Sequence, residues 1–313
     1  MFRTLLFAAL GSACGRTALL DEPPSAPERQ APAPRAQLSG NNEHFCRLSG
    51  DGVLSCWGDN HDGALGDGTT SARATPFVHP GRWREVTASL RSTCAIDSGG
   101  SLWCWGSHVG AAPRRVGLEG GWRHVVMGMS LVVAEREDGT LWTWPGTLVR
   151  PDLMRQLGGR WGALAMGLWE RVCGRREDDA LVCGDEQPER VVVAGDVRAF
   201  DVAGEQLVVA QADGSLRKTQ PLRDGPVVWS TIEGPLSDAR DVRLSTDAVC
   251  ALGDDARLAC ARLDGGDAWP ALVSVAGRWS TVAVGRYRTC GIREDDSTWC
   301  WVDASEPARV DVP

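Results

Sequence analysis

From about residue 35 onward, apolar and polar positions exchange over short distances, and no apolar period of 3.6 residues runs long enough for an extended helix. The pattern instead predicts short strands in a fixed order. Trp83-Arg84-Glu85-Val86 opens one, and Cys94 lies in a second, which a Gly or Asp turn ends. A third carries Leu102-Trp103-Cys104-Trp105, where alternation puts Trp103 and Trp105 on one side and Leu102 and Cys104 on the other. Pro113-Arg114-Arg115-Val116 makes a fourth. The opening recurs at Trp122, Trp161 and Trp279, and the closing at Pro188 to Val191, Pro270 to Val273 and Pro307 to Val310.

Cysteines mark the same frame. Ten of the eleven fall into five pairs, each separated by ten positions: Cys46/Cys56, Cys94/Cys104, Cys173/Cys183, Cys250/Cys260 and Cys290/Cys300. Two further copies of the unit, Val133 to Thr143 and Val208 to Lys218, keep the Asp-Gly turn and lack both cysteines. Loss of cysteines only as whole pairs is what a covalent bond between them predicts. Seven copies, spaced by about 41 residues, point to a propeller, and four short antiparallel strands per copy make a blade. The expected fold is an all-β, seven-bladed β-propeller of four-stranded antiparallel blades with hairpin disulfides in five of them. Cysteines flanking a tight turn can face each other across a hairpin, with α-carbons about 4.5 to 5.5 Å apart. Thiolate zinc sites bring cysteines in closer pairs with nearby histidine, so no metal and no cofactor are expected.

The eleventh cysteine has another explanation. Met1-Phe2-Arg3 precedes an apolar run, Leu5 to Leu10, and then Gly11-Ser12-Ala13-Cys14. This resembles a bacterial lipoprotein signal, which implies a signal peptide over residues 1–13 and lipidation of Cys14. A plain secretory signal is the alternative. Residues 14–35 are Pro-rich and read as an extended tether, and 36–313 as the propeller. The expectation is an exported lipoprotein of the outer membrane or cell surface, with a periplasmic or secreted location second, attached to membrane through the lipid alone and monomeric. Export to an oxidising compartment is also what lets ten cysteines pair. The formal net charge of −8 argues against a nucleic-acid binder, which should carry a basic stripe. Lys218 is the only lysine among 33 basic residues and reads as compositional bias.

Gly58-Asp59-Asn60-His61-Asp62-Gly63-Ala64-Leu65-Gly66-Asp67-Gly68-Thr69, with Cys56-Trp57 before it and Pro76 after it, resembles the repeat of the regulator of chromosome condensation family. The resemblance implies a seven-bladed propeller, in agreement with the count. The glycine-rich signature is complete only in the first repeat. Members of that family include a nuclear exchange factor for a small GTPase, a plant ultraviolet receptor and a secreted bacterial inhibitor of β-lactamase, so the fold alone does not select a task.

Strand order places the first-to-second turns and third-to-fourth connections at one end of the propeller, and the Asp-Gly hairpin tips at the other. Aromatic and arginine residues off the core pattern at the first end are the expected partner anchors: Trp169, Arg171, Tyr287, Arg288, His61 and Phe77. At the other end Asp51, Asp97, Asp138, Asp178, Asp213, Asp255 and Asp295 form an acidic ring, explained by the preference of tight turns for Asp. His44 reads as a turn hydrogen-bond partner. No G-x-S-x-G elbow, H-E-x-x-H motif or phosphate loop is present. The leading expectation is therefore a non-enzymatic protein-binding module with an unknown protein partner. The alternatives are a propeller enzyme acting on glycan or peptide, and a structural envelope protein.

Overall fold

Among the described residues, twenty-eight strands, none longer than seven residues, fold into seven sheets of four, each sheet made of four strands consecutive in sequence. The computed structural model describes residues 36–41, 44–117, 119–145, 153–158, 161–167, 170–185, 190–219, 226–263, 270–302 and 307–312. The signal segment, Cys14, the tether and Trp169 lie outside them. Blades 1 to 7 span residues 37–78, 83–115, 122–157, 161–194, 197–231, 239–275 and 279–310. All strand pairings are antiparallel.

The expected first strands open where Trp83, Trp122, Trp161 and Trp279 predict. The closing strands sit slightly later than the Pro-x-x-Val segments in the last two blades, at Val273–Val275 and Ala308–Val310. Pro270 and Pro307 fall just ahead of them, since proline offers no N–H to a ladder. In blade 2, Pro113 sits inside the outermost strand, Gly110–Arg115, where the free edge tolerates it.

The apolar core is divided. One buried cluster fills each interface between successive blades, from Leu48, Leu65 and Trp105 between blades 1 and 2 to Phe45, Trp57 and Ile292 between blades 7 and 1. Large rings occupy these wedges in pairs, Trp83 with Trp105, Trp122 with Trp144 and Trp279 with Trp301, at centroid distances of 5.4 to 6.2 Å. Such offset and edge contacts add to burial of the rings. Arg136 lies 4.8 Å from the Trp122 centroid and 5.3 Å from that of Trp142, and Arg293 holds the same position between Trp279 and Trp299. Ring closure needs no exchanged strand: blade 1 is Gln37–Asn41, His44–Leu48, Leu54–Gly58 and Arg73–Val78, and its first strand packs on blade 7. Arg47, with its side chain 5% exposed, spans this junction to Asp296 at 2.5 Å.

All five cysteine pairs are disulfides between directly opposed residues of the second and third strands: Cys46–Cys56, Cys94–Cys104, Cys173–Cys183, Cys250–Cys260 and Cys290–Cys300. Their spacing corrects the expectation from sequence. The α-carbons of Cys173 and Cys183 are 4.1 Å apart and those of Cys290 and Cys300 4.0 Å, and the other three pairs measure 4.1 Å. All five fall below the expected range of about 4.5 to 5.5 Å, on the side of the narrow, non-hydrogen-bonded kind of opposed pair, where side chains approach most closely. Each bridge faces the next blade. In blades 3 and 5 the same register pairs Val133 with Thr143 and Val208 with Lys218. Lys218, read from composition as a bias, is thus buried at a cysteine position. A V133C/T143C variant is expected to form a sixth disulfide and to gain about 2 kcal/mol, read as a reductant-sensitive rise in urea midpoint.

The glycine-rich loop of blade 1 is a packing device. Asn60, fully buried, donates its amide to Asp67 Oδ1 and to the carbonyls of Thr69 and Ser71 at 3.0 to 3.1 Å, and accepts from the Leu65 N–H at 2.9 Å. The loop then inserts Ala64 and Leu65 against blade 2, where the Ala64 carbonyl accepts from Trp105 Nε1 and Thr93 Oγ1, both at 2.8 Å. Gly66 has φ +72°, and a Cβ there would lie 2.7 Å from both His79 and Trp105.

Candidate functional site

The first strands of the blades surround a central cavity of about 1040 Å³. As the innermost strand of its sheet, each has one edge without a ladder partner. Side chains from the preceding blade supply the missing acceptors. Gln37 Oε1 accepts from Val86 N at 3.3 Å, Ser39 Oγ from Ala88 N at 2.8 Å, Glu85 Oε1 from Val125 N at 3.0 Å and Asp201 Oδ2 from Leu244 N at 2.9 Å. Polar residues on the inward positions of first strands therefore stitch neighbouring blades together.

Two of these positions carry charge networks. His124 Nδ1 lies 2.7 Å from Glu85 Oε1, and this hydrogen bond raises the histidine pKa against the cost of burial. On blades 5 and 6, Asp241 pairs with Arg243 at 3.3 Å, close to Asp201. Burial pushes the Asp201 carboxyl up to about 6, opposed by the Arg243 charge and by the N–H groups of Leu244 and Val202. Glu85, Asp201 and Asp241 each accept a backbone N–H, which accounts for these carboxylates as parts of the frame. His44 is likewise explained, its Nε2 lying 3.1 Å from Thr93 Oγ1 across blades 1 and 2.

At the hairpin end, Asp138, Asp213, Asp255 and Asp295 accept the backbone N–H two residues on, at 2.9 to 3.0 Å. Hydrogen bonds from the Ser215 and Ser297 side chains, then from their backbone N–H groups, hold Asp213 and Asp295 below the usual carboxylate range, and the Arg257 backbone and side chain do the same for Asp255. Neighbouring acids reach adjacent blades, as in Arg84 to Glu137 at 3.1 Å and Arg198 to Asp254 at 2.9 Å. Turn chemistry and inter-blade ion pairs thus account for this acidic ring. Among the described residues no group of three or more His, Cys, Asp or Glu could hold a metal, and no helix is long and apolar enough to cross a membrane.

The opposite end carries a groove of about 440 Å³ between blades 6 and 7. Tyr287 and Arg288, in the turn after Trp279–Val284, form one lip, Val273 the other, and Trp301 lies at its base. Val273 is 69% and Tyr287 43% exposed, both high for apolar or aromatic side chains. Arg286 lies 5.1 Å from the Tyr287 ring centroid and 3.5 Å from Asp247, which Arg262 also approaches at 4.0 Å. Arg262, Arg286 and Arg288 therefore stand at or beside the groove, on a chain whose net charge is −8.

Of the anchors expected from sequence, the structure brings Tyr287 and Arg288 together in this groove. Phe77 packs instead edge-on against His79 at 5.0 Å with Arg73 over its ring. His61 projects from the blade 1 loop, 3.5 Å from Asp59, and Arg171 stands half-buried at the start of a strand in blade 4, three blades from Tyr287. The paired cysteines are framework and not site residues. Cys183 packs in the interface between blades 4 and 5 and Cys300 in that between blades 7 and 1, both buried and both away from the central cavity and the groove, because their side chains point at the next blade. Cys260 alone of the ten borders the groove. Val273, Arg262 and Arg286 were not legible as site residues, because they belong to a fourth strand, the end of a third strand and a turn in two different repeats.

No family model matches the sequence, and no curated protein matches it. Solved structures do resemble the fold. The CRINKLY ectodomain of the Arabidopsis thaliana receptor kinase ACR4 is 16% identical with a TM-score of 0.61, over 89% of this chain and 100% of that one. Human WBSCR16 is 11% identical with a TM-score of 0.64, over 83% and 95%. Prp20p of Saccharomyces cerevisiae, described with its binding to Gsp1p and histones, is 16% identical with a TM-score of 0.51, over 88% and 76%. At these identities the likeness is one of fold.

Proposed function

We propose that this protein is an exported, lipid-anchored propeller that binds a protein partner in the groove between blades 6 and 7. The observation that carries the reading is the exposed Tyr287 and Val273 pair beside Arg288, with Arg286 against the Tyr287 ring. An apolar anchor flanked by Arg286 and Arg288 fits an acidic polypeptide segment bearing a bulky apolar residue. Neighbours in fold are compatible with that use, since an ectodomain and a protein that binds Gsp1p and histones share it. The five disulfides belong to an oxidising environment, in keeping with export. The lipid anchor rests on the Gly11-Ser12-Ala13-Cys14 segment.

A photo-crosslinking residue at position 273 of the full chain on its native membrane is expected to capture one partner. That partner, once purified, should bind Tyr287→Ala, Arg288→Ala at least about 30-fold more weakly than wild type, since two anchor truncations remove about 2 kcal/mol or more. An Arg257→Ala variant at the hairpin end should bind normally. Equal affinity for the double variant and wild type would remove the groove as the site. Fatty-acid labelling present in wild type and absent from Cys14→Ser is the corresponding expectation for the anchor.

A further inference from the structure

We propose that the central cavity is a second site, independent of the groove, which binds a small organic anion between His124 on one wall and Arg243 on the facing side. The volume, about 1040 Å³, suits a metabolite-sized ligand. The choice of an anion follows from which polar atoms are already committed. Glu85 accepts from His124 and from Val125 N, Asp201 from Val202 N and Leu244 N, and Asp241 from Val242 N with Arg243 at 3.3 Å. The carboxylates of the wall are therefore engaged as internal acceptors.

The uncommitted groups are donors. His124 uses Nδ1 on Glu85, which leaves Nε2, and its side chain is 41% exposed. Arg243 approaches Asp241 through Nη2, which leaves its other N–H groups, and its side chain is 42% exposed. Arg175, Arg198 and Arg240 also line the cavity, but Arg198 is paired with Asp254 at 2.9 Å and Arg175 donates to the Val197 carbonyl at 3.0 Å, so His124 and Arg243 are the donors that face it with groups to spare. Blades 2 and 3 carry Glu85 and His124, while blades 5 and 6 carry Asp201, Asp241 and Arg243, so the donors approach from well-separated parts of the ring. A small ligand with more than one negative charge, on carboxylates or on a phosphate, suits donors on both sides of the cavity.

The pairing also sets a pH dependence. The charged groups acting on His124 are Glu85, Glu135 and Arg123, and the adjoining strand Trp161–Met166 contributes none. Those acting on Arg243 are Asp241 and Asp201, and Trp279–Val284 contributes none. The hydrogen bond to Glu85 favours the protonated ring, so the positive charge on His124 persists to higher pH than on a free histidine and is lost as pH rises further.

The test is calorimetric titration of the disulfide-intact protein with citrate and, separately, with glycerol 2-phosphate at constant ionic strength. Saturable binding near pH 6 is expected, at least tenfold weaker in Arg243→Gln and in His124→Gln, and unchanged in Arg257→Gln. Wild-type affinity should fall as pH rises to 8.5, and His124→Gln should lose that dependence. Preference for one probe identifies carboxylate or phosphate as the group recognised. Absence of saturable binding to either probe overturns the proposal, as does equal weakening in Arg257→Gln. If Arg243→Gln does not fold, the pH profile of His124→Gln against wild type decides the matter, and an unaltered profile counts against the site.

Discussion

Complete reduction of the protein is expected to lower its melting temperature by about 20 °C or more, or to unfold it at room temperature. Each disulfide closes a loop with a sequence separation of ten residues. In the chain-entropy view each contributes about 2.5 kcal/mol. The pairs lie in separate blades that meet only through neighbouring interfaces, so their contributions add approximately. The sum, above about 10 kcal/mol, rivals the whole stability of an ordinary domain. Reduction should also have an order. Nine of the ten paired cysteines are buried, Cys183 and Cys300 among them, whereas Cys260 is partly exposed in the floor of the groove. Cys250–Cys260 should therefore be the first pair to open under mild reductant, seen as the first cysteines alkylated in timed mass spectrometry. Simultaneous labelling of all five pairs would mean that reduction waits on global unfolding instead. A melting temperature unmoved by reductant would show that blade packing alone sustains the ring.

Most of the architecture was legible because a propeller repeats its constraints. A cysteine pair at a fixed separation, an opening tryptophan and an Asp-Gly turn recur in register, and each marks a place where the backbone geometry leaves few choices. The acidic ring was also legible for a physical reason, since Asp138 and Asp295 satisfy the turn backbone two residues on. Closure of the ring was not. A chain beginning on a first strand and ending on a fourth is compatible with whole blades or with mixed termini, and the choice depends on packing of Phe45 and Trp57 against Ile292. Both cavities were hidden as well. Glu85, Asp201 and Arg243 occupy inward positions of first strands, but alternation cannot say which neighbouring blade each reaches. The groove assembles Val273 with Tyr287 across a blade boundary, and no local pattern links the two. Phe77 reads as a partner anchor, and it is half-buried against His79 under Arg73.

Asp201→Asn is expected to raise stability at pH 8 and to leave it equal or slightly lower at pH 4. In the folded wild type the Asp201 carboxyl titrates at about 6 instead of 3.8, so the folded state favours the protonated form. Its stabilising contribution is complete below 3.8 and disappears as pH rises through 6. At pH 8 the ionised group opposes folding by about 2 kcal/mol, allowing for water in the cavity. Asparagine keeps an acceptor for Leu244 N and has no charge to desolvate, so the variant should be about 1 to 2 kcal/mol more stable there. At pH 4 the wild-type group is protonated, and the variant should be equal or slightly weaker. Two buried histidines work in the other direction. Burial lowers His44 and His79 from 6.5 to about 4, so their contribution is present above 6.5 and is lost as pH falls through 4. Each represents about 3 kcal/mol, and Asp201 offsets part of their loss in the wild type. The decline in urea-unfolding free energy between pH 7 and pH 4 should therefore be steeper in Asp201→Asn than in wild type. Parallel pH curves, displaced by a constant amount, would show that Asp201 has an ordinary carboxyl whose role in the wall is packing alone.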